Sequence, residues 1–296
     1  PYSSKFECEL ASKQMVSEED VNEVIDKLKL AKNPFIIVGG SGWSSEAAEN
    51  LGKFAKSMGI PVGTSFRCQD YLDNRHPNYV GDVGIGINPA LLKRITSADC
   101  VLVLNARLGE MTTGGYSMFD IPKSRQYLIH IHPDPNELGS VYQPDIGLVC
   151  NSAEFIKKAV NNSKEHQNKS PTKERANYQA WQKPLTTPGN VKMEVVIKTL
   201  SNILPEETII TNGAGNYNGW LHRYFTYKGW RTQVGSTSGS MGYGLPAAVA
   251  AKLIHHDKEV ICLSGDGCFQ MTMQEFGTAC QYGLNIIIII SNKQRF

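Results

Sequence analysis

The chain has 296 residues, of which 41% are hydrophobic and 20% charged, with a formal charge of +2 at pH 7. That length allows two domains of ordinary size, each with its own buried core, and the composition excludes a disordered or membrane-embedded chain. The near-balanced charge, without any block of like charges, gives no sign of a nucleic-acid or membrane surface, and the longest apolar run, Ile286 to Ile290, is far too short to span a bilayer.

In chain order, Ser17 to Leu30 places Val21, Val24, Ile25 and Leu28 at helical spacing behind a Ser17/Asp20 cap, which predicts an amphipathic helix. The run FIIVGG then reads as a strand, residues 44–59 as a second helix and IPVGTS as a further extended segment. ADCVLVLNAR and RQYLIHIHPD are strand-like and end in polar residues. Apolar runs alternating with amphipathic helices predict a parallel sheet covered on both faces.

Residues 161–190 are polar, with three prolines and few aliphatic residues, and read as a linker with room for one short helix. The alternation then restarts: 191–204 helix, 207–213 strand, 244–255 helix with a proline in its first turn, 259–265 strand, 272–283 helix, 285–291 strand. The expected fold class is therefore α/β, with two doubly wound parallel-sheet domains: a Rossmann-like domain over 1–160, a linker over 161–190 and a second domain over 191–296.

Cys8, Cys68, Cys100, Cys150, Cys262, Cys268 and Cys280 are odd in number, scattered and never spaced C-x-x-C. They predict small buried thiols in a reducing cytoplasm rather than disulfides or zinc. His130 and His132 alternate on one strand face and lack the cysteine or carboxylate company of a metal site, so they read as packing histidines, and Trp181, Trp220 and Trp230 as packing or subunit-contact residues.

The chemistry concentrates at strand ends of the second domain. Asp266 follows strand EVICLS and Asn292 ends strand NIIIIIS with one helix between them, so a right-handed βαβ unit brings both to the carboxyl edge of one sheet. Gly265 and Gly267 leave the main chain bare enough for a large anion. One carboxylate, one amide and a diphosphate make a workable set for Mg²⁺. Taken alone, the tripeptide reads equally well as a helix cap. The Gly/Ser-rich stretch 235–251 opens a helix, and Asn216, Tyr217 and Asn218 follow strand ETII, so three glycine-rich strand ends point to one crevice.

The order GAGNYNGW, SGSMGYGLPAAVAA, then GDGCFQMTMQEFGTACQYGLNIIIIISN resembles the diphosphate-binding domain of thiamine diphosphate enzymes of the acetolactate synthase type, and FIIVGG through IHIHPDPNELG is similar to their central domain. The resemblance covers nearly the whole chain. It implies a thiamine diphosphate- and Mg²⁺-dependent 2-oxo acid decarboxylase or carboligase, with Asp266 and Asn292 as metal ligands and Gly265, Gly267 and Cys268 beside the diphosphate. It implies polar diphosphate contacts from Asn216 and Tyr217. It also implies that the Gly239 carbonyl accepts from the cofactor's amino group, that Ser240 is among the cofactor-binding residues, and that Met241 is the apolar wedge that bends the cofactor until its own imino nitrogen serves as base.

Two departures from the pattern follow. The family's usual metal-binding amide falls on Lys293, which has no acceptor to offer a cation while protonated, so either Asn292 substitutes, the loop shifts by one residue or metal binding is weakened. The activating glutamate is expected on an amino-terminal domain outside this chain, so the chain reads as a fragment, inactive by itself, of an enzyme that is at least a homodimer. In the central domain the VGGSGW turn, Asn105-Ala106-Arg107 and His132-Pro133-Asp134 stand where FAD lies in acetolactate synthases, and the resemblance leaves FAD open. The alternatives are a flavin- or nicotinamide-dependent oxidoreductase, for which a clean G-x-G-x-x-G is lacking, and a scaffold or regulatory module that has lost its active site.

Overall fold

The computed structural model describes residues 15–163 and 170–292. Ser17 caps α1 (Glu18–Leu30), its Oγ accepting from the Asp20 N–H at 3.0 Å, and Val21, Val24, Ile25 and Leu28 are buried as their spacing requires. The first sheet has six strands: β1 (Pro34–Val38), β2 (Val62–Ser65), β3 (Tyr79–Val83), β4 (Cys100–Leu104), β5 (Tyr127–His132) and β6 (Ile146–Val149). All pair in parallel, in the order β3-β2-β1-β4-β5-β6. Helices α1, α2 (Ser45–Met58) and α5 (Ser152–Asn162) share one core with one face of this sheet, while α3 (Pro89–Thr96) and the short α4 (Glu110–Thr113) belong to the other side. The strand order reverses at β1 and β4, which opens a crevice at their carboxyl ends.

The expected linker is partly docked. Within it, α6 (Thr172–Trp181) packs on α3 and β3: Tyr178 is buried, edge-on to Tyr79 at 5.1 Å, and Arg175 donates to the carbonyls of Asn74 and Tyr79 at 2.7 and 2.9 Å. With Glu174 also paired to Arg94 of α3 at 2.8 Å, one aromatic and a few polar contacts bind a helix whose composition is otherwise polar.

The second sheet is also parallel, in the order β10-β9-β7-β8, from β7 (Ile209–Asn212), β8 (Gln233–Gly235), β9 (Val260–Gly265) and β10 (Ile287–Ser291). It is accompanied by α7 (Met193–Ile203), α8 (Asn218–Tyr224), α9 (Gly244–Ile254), α10 (Asp266–Gln270) and α11 (Glu275–Gln281). Its order also reverses, at β7 and β9. The fold class is therefore α/β with two parallel sheets, as the alternation of apolar runs and helices predicts.

A polar seam joins the two sheets. The Asp70 carboxylate accepts from the Thr232 and Gln233 N–H groups at 3.0 and 3.1 Å, Gln69 N–H donates to Gln233 Oε1 at 2.7 Å, and Asn74 exchanges hydrogen bonds with the Tyr227 main chain at 2.9 Å in both directions. Concavities of about 620, 480 and 740 Å³ follow this seam. Among the described residues no helix is long and apolar enough to cross a membrane.

Candidate active site

Because β7, β8, β9 and β10 run in parallel, their carboxyl ends lie on one edge of the second sheet. Three loops meet there. The first, Gly213 to Asn218, leaves β7 and reverses direction at Gly215, whose φ of +152° suits glycine. The second, Ser236 to Tyr243, leaves β8 and passes through Gly239 and Gly242 at φ of +73° and +76° before entering α9. The third is the Gly-Asp-Gly turn, in which Gly265 ends β9 and Asp266 starts α10.

Cys268 ties the three together. Its Sγ accepts from the Gly242 N–H at 3.1 Å, and a Cβ placed on Gly213 would fall 2.1 Å from the same sulfur. Burial works to raise its thiol pKa, but hydrogen bonding, led by the Gly242 N–H, outweighs that effect and leaves it below the usual value. Thr272 Oγ1 adds a bond to the Gly242 carbonyl at 2.8 Å. The Tyr217 ring packs under the Gly-Asp-Gly turn, 3.0 Å from where a Gly265 Cβ would stand.

Asp266 is half-buried and accepts from the Gly267 N–H at 3.0 Å. Ser291 pairs in register with Gly265, so Asp266 and Asn292 are the next residues of two adjacent parallel strands and leave the sheet side by side. Asn292 is exposed, and Lys293 lies outside the described residues. Asn216 is exposed at its turn, whereas Tyr217 is buried within the adjoining core with its hydroxyl unpartnered. Gly239, Ser240 and Met241 lie in the second loop, and Met241 is 44% exposed, an apolar side chain held out beside a glycine-rich turn.

This donor set fits a diphosphate and its cation. The glycines of the three turns leave main-chain N–H groups without a Cβ beside them, and the buried Tyr217 hydroxyl, a donor, has no hydrogen-bond partner among the described residues. A single carboxylate with a neighbouring amide suits Mg²⁺, which keeps water and phosphate oxygens as its remaining ligands. Among the described residues no group of three or more His, Cys, Asp or Glu gathers as a metal cluster.

In the central sheet the candidate strand-end residues are engaged internally. Asn105 donates to the Ser41 carbonyl at 2.7 Å and accepts from Ser152 N–H and Oγ at 3.0 and 2.7 Å, while Arg107 pairs with Glu137 at 2.7 Å. His130 is buried with its ring nitrogen 3.0 Å from the Ala106 carbonyl, and burial pushes its pKa down to about 4; it packs edge-on against His132. Trp181 lies under the Arg223 guanidinium at 3.6 Å, and Trp230 meets Tyr71 edge-on at 4.8 Å. Cys68, Cys100, Cys150, Cys262 and Cys268 are buried free thiols and Cys280 is exposed; Cys8 lies outside the described residues.

The sequence reading passed over Arg67, Gln69 and Asp70. Their only signal was a polar run, Arg67-Cys68-Gln69-Asp70, directly after a strand. The structure makes it the main contact between the domains. Burial raises the Asp70 carboxyl to about 7 and pushes His222 down to about 3, with the Arg67 charge a second cause for His222.

Two parallel sheets, the second with three glycine-rich loops converging at its carboxyl edge, define a nucleotide- or diphosphate-binding α/β protein. The chain belongs to the thiamine pyrophosphate enzymes: residues 21–159 match the family's central domain and residues 213–296 its C-terminal TPP binding domain. It is 30% identical over 291 residues to the acetolactate synthase large subunit of Corynebacterium glutamicum, covering 94% of this chain and 46% of that one. Against the large subunit of Cyanidium caldarium identity is 29% over 276 residues, covering 89% and 46%. Against that of Buchnera aphidicola it is 28% over 307 residues, covering 99% and 53%. The chain thus spans about half the length of these relatives.

Proposed function

We propose that the natural protein is a thiamine diphosphate- and Mg²⁺-dependent enzyme that decarboxylates a 2-oxo acid and joins the product to a second carbonyl, as the name of its relatives indicates. The observation that carries this reading is the meeting of the Gly213, Gly242 and Gly-Asp-Gly loops at Cys268, with Asp266 and Asn292 adjacent on the same edge. Asp266 and Asn292 would hold the cation, and the main chain of Gly265, Gly267 and Cys268 the diphosphate. Asn216 would add a polar contact, whereas the burial of Tyr217 suits it to supporting the turn from beneath.

When bound, thiamine diphosphate supplies an electron sink for the carbon–carbon cleavage. This chain's residues bind and orient it. The Gly239 carbonyl would meet its aminopyrimidine, with Ser240 alongside in the same loop, and the Met241 side chain, 44% exposed, would offer an apolar surface that keeps water from its reactive end. Met271, Met273 and Phe276 are also more than half exposed close by, an apolar surface that supports a subunit contact and hence a homodimer or larger assembly.

FAD in the central domain is a separate question, since Asn105 and Arg107 are already engaged; the visible absorbance of the purified full-length protein answers it. The test of the main reading is carbon dioxide release from short 2-oxo acids by the full-length protein. Release that requires both thiamine diphosphate and Mg²⁺ supports the proposal. Absence of release with every short 2-oxo acid, or release that persists without the cofactor, contradicts it.

A further inference from the structure

Arg67 follows the carboxyl end of β2 with φ of +61°, a left-handed backbone uncommon for arginine. Its guanidinium crosses the seam: Nη2 donates to the Gly213 carbonyl at 2.7 Å and Nη1 to the Ser236 carbonyl. It lies over the Phe66 ring at 4.9 Å, is only 6% exposed, and lines the cavity of about 620 Å³. Its Nε is buried without a partner, and among the described residues no carboxylate pairs with it. Carbonyl acceptors satisfy donors but do not neutralise a charge, and a buried charge without a counter-ion is costly unless a ligand supplies one.

The surroundings favour an anion. His222, edge-on to Phe66 at 5.5 Å, is held neutral by burial, so Arg67 is the local cation. Arg107 and Glu110 stand exposed at the rim, with Arg107 taken by Glu137. The lining mixes small and polar groups, among them Ser65, Thr112 and Gly235, with the apolar Phe66, Met111 and Val234. The cavity adjoins the proposed cofactor loop: Ser236, bonded to Arg67, is three residues before Gly239, and a Cβ on Gly239 would lie 3.7 Å from Met111 Cε in the cavity wall. A short oxo acid entering here would bring its carboxylate to the remaining N–H bonds of a guanidinium whose Nη1 and Nη2 each already donate once, to the Ser236 and Gly213 carbonyls, and its carbonyl toward Gly239 and Met241.

We propose that Arg67 is a specificity-determining residue that binds the carboxylate of the 2-oxo acid in the seam cavity, an assignment that rests on the oxo-acid reading above. The diphosphate of a nucleotide offers similar oxyanion chemistry, so the test carries an arm for each.

The experiment uses the full-length protein loaded with thiamine diphosphate and Mg²⁺ and measures binding by calorimetry, with oxamate as an unreactive mimic of a short oxo acid and ADP as the nucleotide probe. Arg67→Gln should weaken oxamate binding about 10- to 100-fold. Arg67→Lys, which keeps the charge and loses the fork, should weaken it by about 3- to 10-fold. Thiamine diphosphate affinity, which Arg67 can reach only through its bonds to the Gly213 and Ser236 carbonyls, should fall by less than oxamate affinity in both variants, and the oxo-acid KM should rise more than kcat falls. If Arg67→Gln does not fold, Arg67→Lys at a wild-type melting temperature decides alone. Oxamate affinity that ignores the substitutions, oxamate that does not bind the wild type, or a loss confined to ADP overturns the assignment while the proposed activity stands. A wild-type protein that takes up no thiamine diphosphate overturns both.

Discussion

Gly242 N–H donates to Cys268 Sγ at 3.1 Å, and this one bond ties the loop after β8 to the Gly-Asp-Gly turn after β9. Replacing Cys268 with alanine removes the acceptor and leaves a buried N–H unpaired, which should cost about 1–3 kcal/mol and weaken thiamine diphosphate binding. Cys268→Ser, whose hydroxyl can accept from the same N–H, should recover most of the loss. Chemical denaturation and calorimetry on the three proteins check this.

Gly244 and Gly219 should respond oppositely to alanine. A Cβ on Gly244 would stand 2.9 Å from Gly213 N and 3.1 Å from the Asn212 carbonyl carbon, both main-chain atoms with little freedom to move. Gly244→Ala should therefore cost about 1–3 kcal/mol. Gly219, in α8, has nothing within 4 Å of that position, and Gly219→Ala should stabilise by about 0.4–1 kcal/mol. Equal effects in urea titrations would contradict the packing described.

Asp70 gives the seam a pH dependence. Burial raises its carboxyl from 3.8 to about 7, so the folded protein holds this proton more tightly than the unfolded chain. The resulting stabilisation is fully present below about pH 4 and is lost as pH rises toward 7. Asp82 on β3 shifts the same way, also to about 7, although it is only half-buried by its surface exposure, so its share is the smaller. Asp70→Asn, which keeps an acceptor for Thr232 and Gln233, should flatten part of the fall in melting temperature between pH 4 and 7. An unchanged slope would show that Asp70 ionises normally.

Two links across the seam should differ in strength. Asn74 is fully buried and bonded to Gln69, Leu72 and Tyr227, so Asn74→Ala should cost at least about 2 kcal/mol. The Arg75–Glu206 ion pair is solvent-exposed on both sides, and Glu206→Ala should cost no more than about 1 kcal/mol. Melting temperatures of the two variants compare them directly.

The fold was legible where apolar periodicity was strong. FIIV and ADCVLVL are strands because both sheet faces are covered, and the helix at Val21–Leu28 follows from its spacing. Strand β8 escaped notice because three residues, Gln233–Gly235, carry no pattern; parallel pairing to β7 makes them a strand. α6 read as part of a linker because a few polar and aromatic contacts, from Glu174, Arg175 and Tyr178, hold it rather than an apolar face. In the site, glycine spacing showed the turns and the βα crossover put Asp266 beside Asn292. The burial of Tyr217 depended on Cys268 and Gly265, distant in sequence, and the contacts of Arg67 depended on how two domains meet, which no local pattern encodes.

Under the proposed function, the Gly-Asp-Gly turn would hold a diphosphate through a cation on Asp266. Calorimetric titration of thiamine diphosphate into the full-length protein, with Mg²⁺ and then with a chelator, tests it most directly. Binding should require Mg²⁺ and weaken at least about 100-fold in Asp266→Ala, which removes the proposed metal-binding carboxylate. Binding that is equally tight without the metal, or unaffected by Asp266→Ala, would contradict the account.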